Sequence, residues 1–167
     1  MSLKLRHIQA PSAALSAMRF IFGLIIFAHG AQKVMGWFGG YGLSATAVHM
    51  GHALHIPGAL MYLAAFVEFF GGIALMLGVL SRVFALAIFI ELIVATLKVH
   101  LPVGFFLNWG SVAGHGEGIE FNLALLAIAS MIVLAGPGVL AIADWEPAFL
   151  HKRLPRAEAF LKPRFQA

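Results

Sequence analysis

Glu68 and Glu91 are carboxylates set inside long apolar stretches, in a chain with only seven acidic residues. A charge at mid-membrane costs roughly 2.5–3.5 kcal/mol on insertion scales, so such a residue turns toward a partner or a wet cavity. Read as helices, the two stretches place Glu68 about 15 Å below the outer end of its segment, and Glu91 about 13 Å from Arg82. Both depths are near the middle. His29, Lys33, Lys98, His100, Glu117 and Glu120 fall in the outer half. Two chemistries fit this set. Ion pairs of Lys33 or Lys98 with Glu68 or Glu91 would hold helices together and do nothing else. Alternatively, Glu68 and Glu91 would relay protons beside an outward-facing polar pocket, with Arg19, His29, Lys33, Lys98, His100, Glu120 and Asn122 as ligand-binding groups.

Other constellations carry less chemistry. His49, His52 and His55 follow an i, i+3, i+6 pattern. In a helix over 45–55, capped by Ser44, they form a stripe about 120° wide. Adjacent pairs would suit zinc or copper, but the signal is weak and a histidine edge facing solvent or headgroups fits the pattern better. No other metal site is expected. His29 and His100 are of the type that ligates haem iron, yet no second paired set supports a haem. The chain has no cysteine, which removes thiol–disulfide chemistry, thiolate metal sites and covalently attached haem. The glycines between 104 and 118 lack the lysine and the strand–helix context of a phosphate loop. No nucleophile–base arrangement is visible.

The elements that must position these residues follow from composition. The 167 residues are 61% hydrophobic and 11% charged, with mean hydropathy +0.93. Soluble domains are roughly half apolar and about a quarter charged, and small ones bury the least of their surface. A soluble globular enzyme and a disordered chain are both excluded. Four apolar segments stand out, about 13–35, 58–80, 83–100 and 121–143. Crossing hydrocarbon as a helix takes about 20 residues, and helices are favoured because lipid offers backbone amides no partner. The expected fold is all-α: a polytopic membrane protein with a four-transmembrane-helix bundle over 1–145 and a basic tail over 146–167. The amino end resembles a signal-peptide n-region. Its apolar stretch runs too long for one, so it reads as a retained first span.

Nine of the eleven lysines and arginines lie at the amino end, at Arg82 or in the tail, and the two long connections contain none. The positive-inside rule then puts both termini in the cytoplasm, in a bacterial inner membrane. The basic balance is thus read as orientation and not as nucleic-acid binding. Trp37, Phe38, Phe105, Phe106 and Trp109 would sit at the outer interface, and Trp145 and Phe149 at the inner one. The tail fits either an amphipathic helix on the inner leaflet or a solvated segment, with Pro155 as a break. At 100° per residue, Arg19, Gly23, Ile26, Gly30 and Lys33 share a stripe roughly 80° wide, with His29 at its edge. Glu68, Gly71, Leu75 and Gly78 share another face, as do Ala87, Glu91, Ala95 and Lys98. Small residues let helices approach closely, so three helices are expected to turn small-and-polar stripes toward a common centre.

Taken in order, these pieces resemble the DoxX family of small bacterial membrane proteins. The resemblance runs from about Met18 to Asp144. It rests on Arg19 with Gly23, His29-Gly30-x-x-Lys33, Trp37-Phe38-Gly39-Gly40, Glu68-x-x-Gly71-Gly72 and Gly78-x-x-x-Arg82. It continues through His100-Leu101-Pro102-x-Gly104-Phe105, Gly118-Ile119-Glu120-x-Asn122 and Gly136-Pro137-Gly138. Asp144 stands one residue further from the glycines than the family's aspartate, and the 49/52/55 histidines are outside its pattern. The resemblance implies a four-helix inner-membrane bundle with redox work, since some relatives look like subunits of quinone-linked oxidases and others are tied to oxidative-stress systems.

The expected function is therefore a quinone-binding or oxidoreductase-associated membrane subunit, with lipid, a redox partner subunit and a second copy as its partners. Whether the chain itself is an enzyme stays open. The rival readings are a non-enzymatic assembly protein, in which the buried charges are structural, and a small proton-coupled transporter.

Overall fold

The computed structural model describes residues 3–142, with side chains from Ser12 onward. The basic tail, Asp144, Trp145 and Phe149 lie outside the described residues, and so do the side chains of Lys4 and Arg6. Five α-helices and no strand are found among the described residues: α1 Leu3–Met35, α2 Leu43–Leu54, α3 Gly58–Leu77, α4 Ser81–Ala95 and α5 Glu120–Ala135. The all-α expectation holds. Three helical segments, Ser12–Met35, Gly58–Leu77 and Ser81–His100, are long and apolar enough to cross a membrane. Their outward faces carry exposed Phe20, Ile21, Leu24, Leu63, Phe70 and Ile90. Helices that are apolar on every side suit lipid as the outer solvent.

The buried seam is Phe22 and Ile26 of α1, Leu75 of α3, Ala85 and Ile88 of α4, and Leu125, Ala129 and Ile132 of α5. The broadest contact is between α1 and α3, and glycine explains it. A Cβ on Gly23 would lie 2.8 Å from the Gly72 carbonyl oxygen, and one on Gly72 would lie 2.6 Å from the Phe27 Cα. Backbone meets backbone here with no room for a side chain, as small-residue helix pairs allow.

Two segment ends differ from expectation for local reasons. The last apolar segment stops being helical at Ala135 rather than 143. Gly136 has φ 92, and Pro137 supplies no amide hydrogen to continue the ladder. The chain then folds back beneath α1 and α3, where the Leu140 amide donates to Ser16 Oγ at 3.1 Å and the Ile142 amide to the Leu77 carbonyl. Above α4, Thr96–His100 form one wide π turn, closed by the Leu101 amide on the Thr96 carbonyl at 2.8 Å. Thr96 Oγ1 donates to the Leu92 carbonyl, a back-bond that loosens helices locally.

Helix α2 starts at Leu43, with Gly42 and not Ser44 as its cap. It buries Thr46, Ala47 and Gly51 against α3. Met50 and Leu54, from its inner face, reach over the gap between α3 and α4.

Candidate functional site

The α3–α4 pair is joined by the short connection 78–80 and packs tightly near it, where Gly71 lies against Phe84 and Ile88. Above that contact the two helices leave a cleft of about 430 Å³. Val67, Glu68, Ile88 and Glu91 line it, with Ile26 and Lys33 from α1 and Met50 and Leu54 from α2. Its volume lies in the range of ordinary small-ligand sites, about 300–1,000 Å³.

Three ionisable groups meet at this cleft. Lys33 donates a short hydrogen bond to Glu68 Oε1 and lies 3.8 Å from Glu91 Oε1. The backbone dictates the meeting. Gly30 sets α1 directly against the Glu68–Phe69 backbone. A helical side chain leans toward the amino end of its helix, so Lys33, one turn above Gly30, bends back down onto Glu68. Glu68 is only 9% exposed. The second oxygens, Glu68 Oε2 and Glu91 Oε2, are buried and bonded to nothing. One ammonium thus serves two carboxylates, and one proton would make the cluster neutral. An apolar cleft strengthens every such interaction, because the local dielectric is low.

The other expected site residues go elsewhere. Arg19 is 1% exposed and sits about 21 Å along α1 from Lys33, at the opposite end of the bundle. Its guanidinium donates to the Pro137 carbonyl at 2.8 Å, the Leu140 carbonyl at 2.5 Å, the Met76 carbonyl at 3.3 Å and the Leu75 carbonyl. It therefore ties α1 to the end of α3 and to the returning chain, and does not line the cleft. Lys98 is exposed, and the ion pairs of both glutamates are with Lys33. The π turn explains the difference: a wider turn advances the chain less per residue, so Lys98 falls off the Glu91 stripe. Asn122 is buried and donates to Thr96 Oγ1 at 3.2 Å, fastening α5 to α4.

His29 is exposed on α1 and outside the cleft lining, although Glu68, Lys33 and His100 are its charged neighbours. His100 Nδ1 lies 2.8 Å from the Glu117 carbonyl oxygen. A carbonyl only accepts, so Nδ1 carries the hydrogen. Glu120 Oε2 accepts from the Leu107 amide at 3.2 Å. These groups organise the 101–119 connection instead of a pocket. Asn108 is its pivot, with its side chain bonded to Val112 and His115. Nothing in the residue pattern singled Asn108 out, because its role depends on the loop's path. His49, His52 and His55 are all exposed. Among the described residues no three metal-ligating side chains converge on one point.

The geometry defines a helical membrane protein with a charged cleft at the centre of its apolar helices. The DoxX family model matches residues 14–101, more than half of the 167-residue chain, and the chain belongs to the DoxX family. The match covers α1 to the π turn and includes all three charged cleft residues. It ends before the 118–122 and 136–144 pieces of the resemblance. The chain is also similar to a protein of Bacillus subtilis (strain 168) named "Putative oxidoreductase CatD", 27% identical over 125 residues, which span 75% of this chain and 81% of that one. No solved structure matches it.

Proposed function

We propose that this protein binds a quinone-type ring in the α3–α4 cleft and works as the membrane component of an oxidoreductase system. The observation that carries this reading is the meeting of Lys33, Glu68 and Glu91 at one apolar cleft of ring-sized volume. A ring of mixed character needs both parts: apolar walls for its faces and a few placed polar groups for its oxygens. Reduction of a quinone takes up two electrons and two protons. The carboxylates are the proton-handling groups, since an intramembrane ionisable residue marks a proton or substrate path more often than a structural one. Electrons come from a separate redox subunit, and the name of the Bacillus relative supports an oxidoreductase setting. Exposed Leu60, Leu63, Ile90 and Val94 flank the opening, which lets an aliphatic tail leave the cleft into lipid. The ring therefore arrives from the bilayer, and not through the outward-facing polar pocket that His29, His100 and Glu120 would have formed.

In this reading the chain crosses the inner membrane four times, with both termini in the cytoplasm. The 16 residues of α5 give about 24 Å of helix, so the fourth crossing is the shortest. The test is binding of a short-tailed benzoquinone to the purified protein in lipid nanodiscs, with and without Lys33→Met. Saturable binding that weakens at least tenfold in the variant is expected. Absence of binding, with a stable protein partner recovered instead, would favour the assembly role.

A further inference from the structure

His29 is a titratable residue for which the ring-binding reading has no use. On α1 it stands about 20° from Phe22 and about 60° from Ile26, at 100° per residue. Both of those side chains are buried in the seam. His29 lies further along the same face, yet it is exposed. An exposed residue on a buried face marks the level at which the bundle interior opens. The opening is on the α5 side. Gly30, about 100° round the helix, holds α1 against the Glu68–Phe69 backbone of α3, whereas α1 touches α5 only lightly.

This opening leads to the charged cluster. The charged neighbours of His29 are Lys33 on its own helix, Glu68 on α3 and His100 on the π turn. From α5, Glu120 is turned to the Leu107 amide. Neither histidine lines the cleft, where every lining residue except Lys33, Glu68 and Glu91 is apolar. The cluster is therefore reached from two sides. One is apolar and open to lipid, and the other passes His29 toward the 101–119 connection.

We infer that His29 is the proton entrance of the cluster, carrying protons between the loop end of the bundle and the Glu68–Glu91 pair while the ring occupies the opposite, apolar side. The two carboxyls are hydrogen-bond neighbours, and one proton kept between them leaves the cluster neutral beside Lys33. Imidazole suits the step because its two nitrogens work in turn. A proton from water adds to one, the proton on the other passes to a carboxylate, and the ring is left neutral. No electron moves. The inference rests on the ring-binding reading for its purpose, since each ring reduction would draw two protons by this route.

The test is hydrogen–deuterium exchange of the protonated carboxyl, followed by its infrared C=O stretch when the full chain in nanodiscs meets heavy water at neutral pH. Glu91→Gln should abolish the band, which assigns it to the pair. His29→Ala should slow exchange at least tenfold, a lower bound on the roughly 10²–10⁴-fold contributed by a positioned proton-transfer group. Added imidazole should restore the rate, which replacing a lost packing contact would not do. His29→Gln keeps most of the volume without the relay, so it should be as slow as the alanine variant. Both variants should bind a short-tailed benzoquinone as the parent does. Equal exchange in parent and variants, no recovery with imidazole, or no carboxyl band in the parent overturns the inference and leaves the ring-binding reading to its own test. Weaker benzoquinone binding in the variants also overturns it, by placing His29 at the ring. Exchange that depends on His29 in a protein that binds no ring keeps the entrance and removes the ring.

Discussion

Replacing Arg19 with methionine separates a structural arginine from a ligand-binding one. The guanidinium is 1% exposed and makes four hydrogen bonds to carbonyls of α3 and of 137–140. The 3.3 Å bond is discounted as weak. Bonds to charged groups contribute about 1.5–3 kcal/mol each, so three give a gross gain of about 4.5–9 kcal/mol. Holding the guanidinium out of water costs several kcal/mol in return. The net loss on truncation comes to about 3–5 kcal/mol, as for other broken buried charge networks. A loss of 4 kcal/mol is a change of nearly a thousandfold in the folding equilibrium. Arg19→Lys should recover little of it, because one ammonium on a flexible stem cannot reach carbonyls on three sides as the planar fork does. The assay is reversible unfolding in mixed detergent, followed by ring binding to the protein that remains folded. Arg19→Met should fall sharply in the first and match the parent in the second. Unchanged stability with weakened ring binding would refute the structural placement of Arg19.

Three further outcomes follow from the same geometry. Gly30→Val places a side chain against the Glu68–Phe69 backbone, so it should cost at least about 1–3 kcal/mol of overpacking, with Gly30→Ala in between; equal unfolding midpoints would show that α1 and α3 separate freely. Lys33→Met leaves two carboxylates without their cation and should lose about 3–5 kcal/mol. Adding Glu68→Leu should restore part of that loss, and strict additivity in the double-mutant cycle would mean that the Lys33–Glu68 pair is not coupled. Asn108→Ala removes three loop bonds, so amide exchange at Val112 should speed up while bundle stability changes by no more than about 0.5 kcal/mol; slow exchange at Val112 would count against the pivot.

Much of this architecture is written in the order of residue types. Long apolar segments fix helices in lipid, because nothing else there satisfies the backbone. The 3.6-residue period puts Gly23, Gly30 and Lys33 on one stripe and Glu68 and Gly71 on another. Those two facts suffice to expect a lysine and buried carboxylates near a common centre, with Lys33 and Lys98 both as candidates. What only the tertiary structure decided is which polar residues join them. Arg19 shares the Lys33 stripe, yet a shared angle says nothing about depth, and one end of α1 serves a capping role while the other serves the cleft. Lys98 shares the Glu91 stripe by count, yet one π turn, set by the Thr96 back-bond and held by Asn122 from a distant helix, swings it outward. The reach of the last helix hung on Gly136, whose φ of 92 accompanies a close approach by the Arg82 guanidinium. Periodicity is a local property and survives in the sequence. Depth, register and the two orphaned carboxylate oxygens arise only when helices distant in the chain are packed together.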